Sequence, residues 1–285
     1  MITDAPALVH DLDEIAYHAM PGLSSTGMKW LLRSPKHYRE RMDHRVETSA
    51  FDLGHAVHAK VLGTGLIIVA IPDSVLSKSG TTGTDAARAF IAEARAAGQV
   101  PVKADVLAQV DAIAESVLAN PKAAALLSLP GAVEVSVFAD DPDAGVALRG
   151  RIDKLGELPD GRLIDVDLKS TSDVRRHKII RTIEDFGYDI QSEMYKHLLR
   201  LATGADIAPT HLIFVETDPP HEVRVVQLAH EDWIEGGARK MRRAIEVYAR
   251  CTATDTWPGD DDIPGTAEPI EPRPYYIDNI VEDYS

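Results

Sequence analysis

The chain has 285 residues, of which 45% are hydrophobic and 26% charged, the balance of a folded protein with one large domain or two small ones. Cys251 is the only cysteine, which excludes an intrachain disulfide and a four-cysteine zinc or iron–sulfur site. The formal net charge of −15 argues against broad, unassisted attraction to nucleic acid, although divalent ions or a local basic groove can overcome it.

The first residues, MITDAPALVHDLDE, are acidic and lack the basic and apolar regions of a signal peptide. No apolar run approaches the roughly 18 to 20 residues that span a bilayer, so a cytoplasmic protein without membrane attachment is expected. Hydroxyl residues at Ser24 and Ser25 precede an apolar-periodic run, predicting a helix from about Ser25 that stops before Pro35. A second helix is expected over Phe51–Leu62, then a short strand over Ile67–Ile71 that ends at Pro72. The Gly, Ser and Thr of 77–84 make a loop. Alanine-rich amphipathic helices follow near 84–97 and 103–119, with a shorter one after Pro121.

From there the pattern turns to strands at Val133–Ala139, Val146–Leu155 and Leu163–Leu168, with a turn at Leu158–Arg162 between the last two. A helix is expected from about Ile190 to Ala202, strands near 210–216 and 222–228 flanking Pro219-Pro220, and a helix over 231–250. This order gives an α+β (mixed α/β) domain. It divides into a helical part, about 1–130, and a sheet-bearing part, about 131–259. Residues 260–285 form a Pro-containing tail with eight acidic residues against Arg273 alone, so it carries −7 and leaves −8 for the rest. Tyr275, Tyr276, Ile277, Ile280 and Val281 are too apolar for a purely solvated tail, and docking on the same or a neighbouring subunit is expected.

Chemistry concentrates in Arg151-Ile-Asp-Lys and Asp165-Val-Asp-Leu-Lys169. Two adjacent strands can bring Asp153 near Asp167, and alternation puts Asp165, Asp167 and Lys169 on one face. The pattern does not say which of the two aspartates is the ligand. Asp153 with Asp167 would cage Mg²⁺ or Mn²⁺, hard cations that take carboxylate and water oxygens. Lys169 beside them could position or activate an attacking water and offset charge in the transition state. The same spacing also fits a hairpin with its charges in solvent. Gln191 and Tyr195 share a helix face, as do Gly54 and His58; a neutral imidazole can ligate a metal, or His58 can be a partly buried helical histidine.

The ordered set Gly54-x-x-x-His58, Glu134, Gly150-Arg-Ile-Asp153, Asp167-Leu-Lys169 and Gln191-x-x-x-Tyr195 resembles the RecB-like branch of the PD-(D/E)XK nucleases. Within that branch it is most similar to the RecE-type phage and prophage exonucleases (exonuclease VIII). The likeness takes in Tyr17–Thr26, Ser34–Tyr38, Gly187-Tyr188, Cys251 and Trp257-Pro258, about residues 15–260 in all. Asp167 stands where Glu is commoner, which the motif allows. The acidic tail exceeds the core pattern, and the missing cysteine quartet separates the chain from iron–sulfur relatives.

The resemblance implies an αβββαβ core with added N-terminal helices, and a metal held by His58, Asp153, Asp167 and the Leu168 carbonyl. It makes Lys169 the catalytic lysine, Glu134 a supporting acid, and Arg151, Gln191 and Tyr195 nucleic-acid contacts. It further implies Mg²⁺- or Mn²⁺-dependent degradation of one strand of linear duplex DNA from its 5′ end. The 3′ strand would be left for an annealing partner in recombination, and the enzyme would assemble as a ring. A structure-selective endonuclease or repair nuclease shares these residues, and a non-catalytic DNA-binding subunit shares the scaffold. Arg33, Lys36 and Arg39 around Ser34-Pro35 are candidates for a terminal-phosphate pocket, or for a solvated basic face.

Overall fold

The computed structural model describes residues 6–44, 53–64, 67–262, 267 and 269–272. A short strand, β1 (Ala7–Val9), leads to helix α1 (Glu14–Ala19), which starts where the Asp13 carboxylate accepts the Ala16 N–H. Helix α2 (Ser25–Arg33) is capped in the same way by Ser24. Ser34 then serves two helices. Its N–H closes α2 on the Trp30 carbonyl, and its Oγ accepts the His37 N–H to start α3 (Pro35–Asp43), with Pro35 in the first turn. The break at Ser34-Pro35 is therefore a corner between two helices, the second of which local pattern did not reveal.

Helix α4 (Leu53–Leu62) follows, the first two residues of the expected helix lying outside the described residues. Next come β2 (Ile67–Ile71), α5 (Asp85–Ala96, capped by Thr84), β3 (Gln99–Lys103), α6 (Ala104–Ala119) and α7 (Pro121–Leu127, capped by Asn120). Strand β3 pairs in parallel with β2; its five residues include Pro101, which hides it from a strand search.

The main sheet is built by β4 (Gly131–Asp140), β5 (Ala147–Glu157) and β6 (Leu163–Thr171), consecutive antiparallel neighbours. Two helices then cross over, α8 (Arg176–Phe186) and α9 (Tyr188–Thr203). They deliver β7 (His211–Glu216) parallel to β6, and β8 (Val223–Gln227) pairs antiparallel on the edge before α10 (Glu231–Thr254). The strand order is β1-β4-β5-β6-β7-β8. A single helix was expected between the third strand and the next; α8 was not, because four basic residues over 175–181 mask the apolar stripe of Ile179 and Ile183.

Both sheet faces are covered. Helices α2, α9 and α10 bury Met28, Leu148, Ile152, Met194, Leu198 and Ile245 on one side. Helices α4 and α6 bury Val57, Ile113, Ile164, Val166, Leu168 and Ile213 on the other. Each such side chain stabilises the fold by about 2 kcal/mol through area removed from water. The α9–α10 approach is closest at Gly237, where a Cβ would stand 2.5 Å from the Asp189 carbonyl oxygen. Among the described residues no helix is long and apolar enough to cross a membrane. The apolar residues of the tail lie outside the described residues; its beginning is tied to α3, Asp262 accepting from Lys36 Nζ at 3.2 Å.

Candidate active site

The site forms where strand pairing fails around Asp153. On one side β4 and β5 pair at Val133↔Lys154 and Val135↔Ile152, but Glu134 and Asp153, opposite each other between those pairs, do not. Glu134 has φ 50, a left-handed backbone that costs a non-glycine residue free energy and is concentrated at functional sites. On the other side the β5–β6 ladder ends at Lys154↔Val166, one step short of Asp153 and Asp167. The backbone groups released there are taken up by the site. Asp153 Oδ2 accepts the Leu168 N–H at 2.9 Å.

Helix α4 brings His58 to the same point, with Nε2 2.6 Å from the Leu168 carbonyl oxygen and Nδ1 3.3 Å from Asp153 Oδ2. Both ring nitrogens thus face oxygen acceptors, yet a neutral imidazole has only one N–H. A bound cation would relieve the other contact. His58, Glu134 and Asp153 each offer a ligand atom within 4.8 Å of the others, a mixed oxygen and imidazole set suited to Mg²⁺ or Mn²⁺. Burial pushes the Asp153 carboxyl up to about 6, and Asp167 adds to this, against the opposing pull of His58. A divalent cation would restore the ionised form.

The face shared by Asp165, Asp167 and Lys169 is sorted by depth. Asp165 is buried and accepts from Thr210 Oγ1 at 3.1 Å, which in turn accepts from Ser192. Burial, then Asp167 and Asp153, hold its carboxyl well above the usual range. Asp167 lies 2.5 Å from Lys169 Nζ and accepts from Gln191 Nε2 at 2.8 Å, and Lys169 Nζ reaches Gln191 Oε1 at 3.4 Å. Burial alone would pull the Lys169 pKa down, but Asp167 and Asp153 more than offset it and raise it. The two carboxylates thus favour an ammonium at Lys169, suited to orient a nucleophile and neutralise developing charge.

A family of PDDEXK-like domains of unknown function (DUF3799) matches residues 24–263. The chain belongs to that family. A solved structure of a provisionally named exonuclease from Eubacterium rectale has the same fold. It superposes with a TM-score of 0.57 at 13% identity, over 92% of this chain and 97% of the other. A second solved protein, SSO0001, covers 73% of this chain and 81% of its own at 13% identity, with a TM-score of 0.32. No curated protein matches the chain.

Within this PDDEXK-like domain the other expected site residues have the following surroundings. Tyr195 is 7% exposed and packs in the core, and a Cβ on Gly150 would stand 2.8 Å from its ring. It packs against the strand that carries Asp153, within electrostatic reach of Asp167 and Asp153. Arg151 donates from Nε to Glu134 Oε2 at 2.6 Å, so it holds the strained acid in place. Arg33, Lys36 and Arg39 each have a separate partner: the Trp30 ring, Asp262, and Asp43 with the Trp257 ring. Two side chains that spacing does not mark join the site. Tyr188 places its ring 4.7 Å from Lys169 Nζ, and Lys29 Nζ sits 5.9 Å from the same ring. Burial, and then Lys169, bring Lys29 down to about 8.

Proposed function

We propose that this domain is a divalent-cation-dependent deoxyribonuclease acting on the ends of duplex DNA. The observation that carries the reading is the unpaired stretch of sheet at Asp153. There a carboxylate, a backbone carbonyl and an imidazole converge, with Lys169 beside them. His58, Asp153 and the Leu168 carbonyl fit a hard cation, and Glu134 is the acid placed to complete the set. Asp167 is held by Lys169 and Gln191 and joins the same negative wall. When bound, the cation supplies Lewis acidity and a lowered pKa for water. Lys169 offsets charge on the phosphoryl oxygens, and Gln191 fixes both Lys169 and Asp167 in orientation.

The ordered motifs resemble those of RecE-type exonucleases, and the Eubacterium rectale protein is itself named as an exonuclease. Both support attack from an end over internal cleavage. The full reading is removal of one strand from its 5′ terminus, by a ring of subunits, with the 3′ strand passed to an annealing protein. Linear duplex labelled at either the 5′ or the 3′ end, and covalently closed plasmid, incubated with and without Mg²⁺, test it. Mg²⁺-dependent loss of the 5′ label with the plasmid intact is expected. Plasmid nicking would assign an endonuclease, loss of the 3′ label first would reverse the polarity, and no turnover in any arm would remove the nuclease. Light scattering at micromolar protein decides the ring.

A further inference from the structure

The corner between α8 and α9 carries an aromatic ring that the nuclease chemistry leaves unused. Helix α8 ends at Phe186, Gly187 reverses the chain at φ 61, and α9 begins at Tyr188. Phe186 is 58% exposed. Its ring stacks on Tyr188 at 5.9 Å and 18°, and Tyr188 in turn lies against Phe214 in the core and under the Lys169 ammonium. The corner is rigid. Lys29 Nζ donates to the Phe186 carbonyl at 2.7 Å, and a Cβ on Gly187 would meet Lys29 Cδ at 2.9 Å.

We infer that Phe186 is a nucleobase platform, on which one base of the strand being cleaved stacks while its phosphate backbone runs to Lys169. The inference rests on the proposed nuclease reading. The distances from Lys169 Nζ to the Tyr188 ring and from there to the Phe186 ring are 4.7 and 5.9 Å. Phe186 is therefore within the span of roughly one to three nucleotides, at about 3.4 Å each along a stacked strand. An aromatic ring takes any base by its π-face, which suits an enzyme that must move along arbitrary sequence. Glu184 and Asp185, both exposed, precede the ring and disfavour a phosphate there, leaving the uncharged base as the partner. The exposed Arg176 and Arg181 on the same helix provide the positive field that a strand needs on a chain of net charge −15.

The test compares wild type, Phe186→Ala and Phe186→Trp on end-labelled duplex and on duplexes with a single abasic nucleotide at each of the four terminal positions. Phe186→Ala is expected to lower kcat/KM about tenfold, the worth of one stacked base, and Phe186→Trp to restore it. At one abasic position wild type should fall to the level of Phe186→Ala, while that variant loses nothing further. If the variant and the abasic site cost independent factors at every position, or Phe186→Ala is as fast as wild type, the platform is wrong. A binding arm separates this from failure of the nuclease itself. With Ca²⁺ in place of Mg²⁺, 2-aminopurine near the strand end should change in fluorescence on binding wild type but not Phe186→Ala. No difference between the two proteins overturns the platform whether or not the protein turns over.

Discussion

Asp153 ties the stability of the fold to pH and to metal, with a sign that can be worked out. Its carboxyl titrates near 3.8 in an open chain and at about 6 in the fold, chiefly because it is buried. The folded protein therefore holds this proton more tightly than the unfolded one. Stability must fall as pH rises from about 4 through about 6. Each tenfold change in proton affinity is worth about 1.4 kcal/mol, so the loss from this group is about 3 kcal/mol. For a chain of this size that is roughly 5 °C in melting temperature. Asp165, whose carboxyl is also raised, extends the decline to higher pH. Asp141 works in the opposite sense. Burial favours its neutral form, but the Arg242 guanidinium outweighs this and holds the carboxyl below the usual range. Its contribution is lost only as pH falls below about 4, outside the window. Melting of the metal-free protein between pH 4 and 8, beside Asp153→Asn, isolates the effect: the variant should decline less steeply between 4 and 6, keeping only the share that Asp165 contributes. Saturating Mn²⁺ should raise the wild-type midpoint at pH 8 far more than at pH 4.5, because the ion competes with the proton. An Asp153→Asn curve with the wild-type slope would rule out Asp153 as a source of the decline.

Three further outcomes follow from the same geometry. Lys169→Ala should reduce cleavage by about 10² to 10³-fold while Mn²⁺ affinity by calorimetry stays within a few-fold, since Lys169 is not a ligand; near-normal turnover would remove the active-site assignment. His58→Ala should weaken Mn²⁺ binding by at least about tenfold, and His55→Ala much less; equal effects would detach His58 from the metal. Gly150→Ala must push a methyl against the Tyr195 and Leu198 side chains, at 2.8 and 3.0 Å, and should cost about 1 to 3 kcal/mol in urea denaturation. An unchanged midpoint would contradict the packing account of that glycine.

Chain order alone carries the chemistry's raw material. Alternation places Asp165, Asp167 and Lys169 on one face of a strand, because period two is a property of the extended backbone. The turn at Leu158–Arg162 makes β5 and β6 neighbours, and helical spacing groups Gly54 with His58. Those features are local, and local pattern reads them. Register and packing decide the rest. The ladder ends beside Asp153 and not beside Asp165, so Asp165 is buried and bonded to Thr210 while Asp167 faces Lys169. Nothing in the composition of β4 shows that Glu134 stands in a left-handed conformation opposite Asp153. The i, i+4 pair Gln191 and Tyr195 looks uniform in sequence, yet the approach of α9 to Gly150 buries the tyrosine and leaves the glutamine at the site. Lys29 and Phe186 are 157 positions apart and meet only because α2 packs beside the α8–α9 corner. A side chain's burial and charge state depend on what the rest of the chain brings to it, and that is settled by the tertiary fold.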